Sequence, residues 1–338
     1  MPSRERRPAA YVSPEVGLWW DDRAGAAEGR AGESENRGRR PFVNSRNAKY
    51  GLLAILIGVG IGGLTGCVAD QADAGDQAAK GELAAAETPS ATGGQELDIP
   101  DAILGRGAPP RGEALAYFDA DPATVGYVVA PDGEGPFPAV LLIHEWNGLV
   151  DRVRQVADAF ADEGYVALAA DLYRGRVGTN RDENMSLVEE TQADPDRIIA
   201  NLDAAVRYLR SRPDVTGKVA AMGWCFGGGV ALSFALDGES HEGTAIFYGS
   251  LIEDPDVLAS IDHPIYGTFA GLDGGIPPAA VNRFAQALRA AGVENDIHIY
   301  DGVNHGFWLW VDRDPESASV PAADAWERLK AYLRRVLG

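Results

Sequence analysis

The sequence predicts an α/β domain with a mainly parallel central sheet flanked by helices on both faces. Three observations predict it. From residue 113 onward, short apolar runs alternate with longer amphipathic stretches, the pattern of parallel strands joined by crossover helices. Several of these runs are apolar throughout rather than alternating, which marks strands buried on both faces. One strand also runs into a helix through a turn crowded with glycine, MGWCFGGGVAL, residues 222–232.

Each element has its own signal. Residues 124–131 (TVGYVVAP) read as an early strand of period two, and 139–146 (AVLLIHEW) as a continuous apolar strand. Residues 151–165 carry helical spacing that stops at Gly164, and 165–173 (YVALAADLY) form the next buried strand. The helix expected over 194–212 opens with Asp and closes with Arg, as the helix dipole favours. Residues 217–224 are a strand leading into the glycine turn, and 226–236 open a helix. Strands over 243–250 and 264–271 precede a helix over 277–293 with Pro in its first turn. A strand at 296–302 and a closing helix at 321–337 complete the domain. Sites in such sheets form at the carboxyl ends of the strands, so functional residues are expected just after them.

The preceding residues read as an address and a tether. Residues 1–38 lack an apolar period and have the composition of a disordered extension. Arg46 and Lys49 precede a stretch from Tyr50 to Ala69 that has no charged residue, the grammar of a secretory signal. LTGC, Leu64 to Cys67, resembles a lipobox, and RRPFV, Arg39 to Val43, resembles the twin-arginine export signature. The expected organisation is an extension with signal or anchor (1–66), a flexible acidic linker (67–112) and the globular domain (113–338). Lipidation of Cys67 would tether the domain outside the cytoplasm. An uncleaved anchor is the alternative, since about 20 uncharged residues just span a bilayer. The glycines and the Thr-Gly-Cys ending favour cleavage.

Composition narrows the chemistry. With 30 basic against 50 acidic residues, the net charge is −20, which argues against nucleic acid as a partner. Two distant cysteines give no disulfide framework. One of them, Cys225, occupies the middle of Gly223–Gly228, a small-x-nucleophile-x-small pattern. Glycines are required where a strand turns so sharply into a helix. The turn sets the side chain over a helix N-terminus, which stabilises a thiolate. A thiol nucleophile needs a base, and the base an orienting acid. Of five histidines, His305 (DGVNHGF) combines a loop just past a strand, a late position and flanking glycine. Asp273 (GLDGGIP) follows an earlier strand; a turn or capping role is its alternative. The order Cys225, Asp273, His305 is that of α/β-hydrolases. Glu145 ends a buried strand, where a carboxylate is costly unless paired or solvated. It is expected to face the site, with a buried salt bridge as the alternative.

These motifs resemble the dienelactone hydrolase family over residues 113–338, through IHEWNG, AADLYRG, GWCFGGG, GLDGGIP and NHGF in the family's order. The resemblance implies an α/β-hydrolase fold, with Cys225 as nucleophile, His305 as base and Asp273 as its orienter. Glu145 would be the family's extra glutamate, which pairs with the thiol and helps to ionise it when substrate binds. The implied reaction is thiolate attack on a lactone or ester carbonyl, with the oxyanion on the backbone N–H groups of Trp146 and Phe226. Water then hydrolyses the thioester, with no metal or organic cofactor. The family's arginines hold a substrate carboxylate. A turn past the histidine this chain has Leu309, and its first arginine there is Arg313. Arg181 is the match for a second arginine, and Trp308 and Trp310 would make the wall apolar. Arg181 and Trp308 are therefore the substrate-contact candidates. The expected partners are a small lactone or ester and, through the N-terminal lipid, a membrane; the domain itself is expected to be monomeric. An acyltransferase on the same site and a non-catalytic binding lipoprotein are the alternative readings.

Overall fold

The computed structural model describes residues 97–338. The signal segment, the twin-arginine match, Cys67 and the linker up to residue 96 lie outside the described residues. The strands are β1 (Glu113–Leu115), β2 (Gly126–Val129), β3 (Phe137–Ile143), β4 (Val166–Ala170), β5 (Val215–Trp224), β6 (Gly243–Phe247), β7 (Ile265–Ala270) and β8 (Asn295–Tyr300). The helices are α1 (Asp151–Asp162), α2 (Arg181–Gln192), α3 (Pro195–Ser211), α4 (Phe226–Asp237), α5 (Pro255–Leu258), α6 (Pro278–Ala290) and α7 (Pro315–Leu337). All eight strands join one sheet in the order β1-β2-β4-β3-β5-β6-β7-β8. β2 runs antiparallel to β1 and β4, and the pairings from β4 through β8 are parallel.

The continuous apolar runs are explained by two covered faces. Along β3, Val140 and Leu142 pack toward α1 and α7, while Ala139, Leu141 and Ile143 pack toward α3 and α4. In β7, Ile265 and Phe269 meet Phe284 and Leu288 of α6. The chain leaves β3 for β4 on one side and later returns to β5 on the other. The carboxyl ends of β3 and β5 therefore flank the point where the winding reverses, the position at which open parallel sheets bind ligands.

Four departures from the expected elements have local causes. β3 ends at Ile143, so His144 and Glu145 lie on the loop beyond it. α7 begins at Pro315, six residues before the expected start, because Asp314 caps it by accepting from the Ser317 N–H at 3.3 Å. Pro321 lies inside that helix. α2 was not expected; it is nearly all polar, and its start is fixed by a capping exchange. The Asn180 side chain accepts from the Glu183 N–H, and the Glu183 carboxylate accepts from the Thr179 N–H. Finally, the linker expected through residue 112 is not free in its described part. Ala102 and Ile103 are buried in the α1–α7 core, Ile103 at 0% exposure. Asp98 pairs with Lys330 at 2.6 Å. Among the described residues no helix is long and apolar enough to cross a membrane.

Candidate active site

Cys225 stands between β5 and α4 with φ 54° and ψ −117°, a conformation that L-residues rarely adopt. The glycines around it are there because backbone fills the space that a Cβ would need. A Cβ on Gly223 would lie 2.2 Å from the Gly227 carbonyl oxygen, and one on Gly227 would lie 2.2 Å from that of Ile143. A Cβ on Gly228 would meet the Phe247 carbonyl oxygen at 2.8 Å. The turn is tied down from both sides. The Cys225 N–H donates to the Phe247 carbonyl at 3.0 Å, and the Gly228 N–H donates to the Cys225 carbonyl at 3.0 Å. The thiol is half-buried and reduced, at the N-cap of α4.

His305 follows β8 and Asp273 follows β7. The imidazole Nδ1 meets Asp273 Oδ2 at 2.6 Å. The other carboxylate oxygen accepts the N–H groups of Gly275 (2.9 Å) and Ile276 (3.0 Å). Asp273 is 5% exposed. Burial works against its charge, but the hydrogen bond and charge of His305 and the two backbone donors outweigh burial and hold the carboxyl below its usual range. His305 is hydrogen-bonded to Asp273 and lies within the field of the Cys225 thiol. Burial disfavours its charged form, yet the thiolate form of Cys225 and the Asp273 carboxylate hold its pKa well above the usual value. Three side chains from three strand exits thus gather at one place, with the imidazole hydrogen-bonded to the buried carboxylate and acted on by the thiol.

The loop after β3 supplies the opposite wall. Glu145 is 4% exposed, and its Oε2 accepts from Trp310 Nε1 at 2.7 Å. Burial pushes its carboxyl up, while the Trp310 hydrogen bond and the charges of His305, Arg313 and Arg152 pull it down; burial wins. The loop's path is set by His144, which lies fully buried. Its Nδ1 lies 2.7 Å from the Glu145 carbonyl, and its Nε2 accepts the Leu172 N–H at 3.2 Å. Those two bonds fix the tautomer with the proton on Nδ1. Tyr173 donates its hydroxyl to the Trp146 carbonyl at 3.1 Å, fixing the next peptide. Phe226, the first residue of α4, packs its ring 5.9 Å from that of Tyr173.

The sequence-predicted residues divide here. Cys225, His305 and Asp273 come together, while the Glu145 carboxylate is bonded to Trp310 and feels the charge of His305. Arg181 is the exposed first residue of α2. The segment before it is pinned to the site loop by the Gly178 N–H on the Asn147 carbonyl at 3.1 Å. Trp308 is not a substrate wall: it is 0% exposed and stacks on Trp224 at 5.8 Å, with Phe247 at 5.0 Å. The chain turns between Phe307 and Trp310, so Trp308 points into the α7-side core and Trp310 toward Glu145. Tyr248, unremarked in the sequence, is buried with its ring 4.9 Å from that of His305. Its only sequence signal was its place at the end of a predicted strand.

Known proteins resemble this chain over the same region. A profile of the dienelactone hydrolase family matches residues 124–337. An inferred carboxymethylenebutenolidase of Methylorubrum extorquens is 31% identical over 222 residues, covering 62% of this chain and 76% of the relative. A protein of the same description from Saccharolobus solfataricus is 29% identical over 267 residues, covering 66% and 99%. Among solved structures, a dienelactone hydrolase-like promiscuous phosphotriesterase from metagenomic libraries superposes with a TM-score of 0.59 at 23% identity, over 68% of this chain and 100% of its own. That last likeness is one of fold.

Proposed function

Because this chain belongs to the dienelactone hydrolase family and is a hydrolase of the ester-cleaving kind, we propose that it opens small lactones or esters through Cys225, His305 and Asp273. The observation that carries this reading is the imidazole bonded to a buried carboxylate at the exits of β8 and β7, with the thiol of the β5 exit acting on that imidazole. The Cys225 thiolate attacks the carbonyl carbon, forming a C–S bond. The oxyanion is received by the backbone N–H groups of Phe226 and Trp146, donors typically worth about 3 kcal/mol each. His144 serves this step indirectly, since its Nδ1 bond to the Glu145 carbonyl fixes the peptide that carries the Trp146 N–H. As the C–O bond breaks, His305 gives its proton to the leaving oxygen. Water then attacks the thioester while His305 accepts its proton, and the C–S bond breaks to release acid and thiolate. Asp273 keeps the imidazole in the required tautomer and supports its charged form.

Glu145 and the N-terminal segment belong to the same proposal. Glu145 supplies negative charge next to the imidazole–thiol pair and helps to set the state of the thiol. Cys67, if lipidated, holds the enzyme at the outer side of a membrane. Labelling with a fatty-acid analogue should then mark the wild-type protein and leave Cys67→Ala unmarked.

Intact-mass analysis after incubation with activated aryl esters and enol lactones tests the chemistry. The expected result is an acyl mass gain on Cys225 and turnover that vanishes in folded Cys225→Ala and His305→Ala. Full turnover by Cys225→Ala would overturn the proposal.

A further inference from the structure

Trp310 lies 165 positions from Glu145 in the chain, and the proposed mechanism does not use it. Its ring carries two cations: the Arg152 guanidinium carbon lies 4.5 Å from the ring centroid and that of Arg313 lies 4.2 Å away. Arg152 is itself anchored. Its Nη1 and Nη2 reach Asp312 at 3.0 and 2.8 Å, and Nη1 also donates to the carbonyls of Ile103 and Leu309 at 3.0 and 3.1 Å. The indole N–H therefore has little freedom, and it points at a carboxylate that is nearly shut off from water.

We propose that Trp310 is a positioning residue: its indole N–H fixes the Glu145 carboxylate where it acts on His305, and the paired arginines hold the ring for that task. The deduction turns on the kind of donor. A buried carboxylate must be hydrogen-bonded or paired. A guanidinium in direct contact would neutralise it. An indole donates one hydrogen bond and no charge, so Glu145 is oriented while its charge stays available to the reacting groups. The arginines approach the ring faces instead, where a cation is attracted to the π system and draws electron density from the ring, which makes the N–H a better donor. The charged and titratable groups that act on Glu145 are His305, Arg313 and Arg152, and Tyr248 feels its charge in turn.

The inference rests on the proposed reaction at Cys225, so its test includes a readout that does not need turnover. Iodoacetamide modification of Cys225 and kcat/KM for p-nitrophenyl acetate are measured against pH in wild type, Trp310→Phe, Glu145→Gln and the double variant. Phe keeps a ring against the guanidinium groups and removes the N–H. Loss of a donor to the ionised form raises a carboxyl pKa. Trp310→Phe should therefore move the acid limb of both profiles up by about one pH unit and lower neutral-pH kcat/KM about tenfold. Glu145→Gln should leave only the limb set by the thiol and imidazole and remove the effect of Trp310→Phe on it, so that the double variant matches Glu145→Gln, the mark of one shared interaction. A Trp310→Phe profile that coincides with wild type, or losses that add in full, would overturn the proposal.

If Trp310→Phe fails to fold, the indole N–H resonances of the ¹⁵N-labelled wild type and Glu145→Gln decide. One indole proton should titrate in wild type and stay fixed in Glu145→Gln; no titrating indole overturns the proposal. That signal is independent of the hydrolytic reading, which fails separately if Cys225→Ala remains active.

Discussion

At Cys225 the backbone fixes where the reactive atom sits, and the side chain decides only what that atom is. A left-handed conformation at a non-glycine residue costs about 1–3 kcal/mol and persists only where the surroundings enforce it. Here they do: the Cys225 N–H is held by Phe247 and its carbonyl by Gly228. Cys225→Ser should therefore place its hydroxyl where the sulfur was and leave the melting temperature within a few degrees of wild type. Any fall in kcat then measures thiol chemistry against hydroxyl chemistry. Gly227→Ala should behave in the opposite way. Its methyl group would collide with the Ile143 carbonyl oxygen, so calorimetry should show a loss of about 3 kcal/mol together with lost turnover. These glycines, Cys225, Asp273 and His305 were legible in the sequence, because an elbow and the loops after strands carry local signatures. The bond from Trp310 to Glu145 was not, because nothing near either residue encodes a partner so far away in the chain. Trp308 was misassigned for a related reason: Phe307, Trp308 and Leu309 all enter the core and only Trp310 turns to Glu145, and a run of Phe, Trp, Leu and Trp does not say which breaks away.

Among the elements, the strands were read closely because a sheet covered on both faces leaves continuous apolar runs. α2 was missed because it buries little, and only its Asn180–Glu183 capping pattern marked it. The amino ends of β6 and β7, opposite the reactive end, carry a buried histidine pair. Thr244 Oγ1 lies 2.8 Å from His241 Nε2 and 2.8 Å from His263 Nε2. Burial, and then the charge of His263, push the His241 pKa down to about 3. Burial also lowers that of His263, against the pull of Asp262. Both groups bind protons more readily when unfolded. Their contribution to stability is therefore complete above the unfolded value of about 6.5 and is lost as pH falls through the folded values. Denaturant unfolding should show stability declining from pH 6.5 toward pH 4, and His241→Gln should reduce that slope by about half. A slope unchanged in the variant would assign the acid sensitivity to other groups.

For the molecule as a whole, the boundary of the folded unit was the hardest feature to read. Residues 98–111 have the small, polar and proline-rich composition of a linker, yet they lie across α1 and α7. Ile103 is buried there, and the Gln155 side chain donates to the carbonyls of Gly107 and Ala108 at 3.1 and 3.0 Å. A brief apolar cluster, Ile99 and Ala102 to Leu104, is too short to show a period, so burial of Ile103 could be found only from its surroundings. Ile103→Ala should cost about 2–5 kcal/mol in chemical denaturation, a loss that a free linker would not show. Arg152 gives this arrangement a temporal meaning. Its guanidinium clasps the carbonyl of Ile103, near the start of the described chain, together with Leu309 and Asp312, near its end. During synthesis the clasp stays open until the ribosome has delivered both ends. A nascent chain cut short before that point would leave Arg152 without its late partners and Glu145 without its donor.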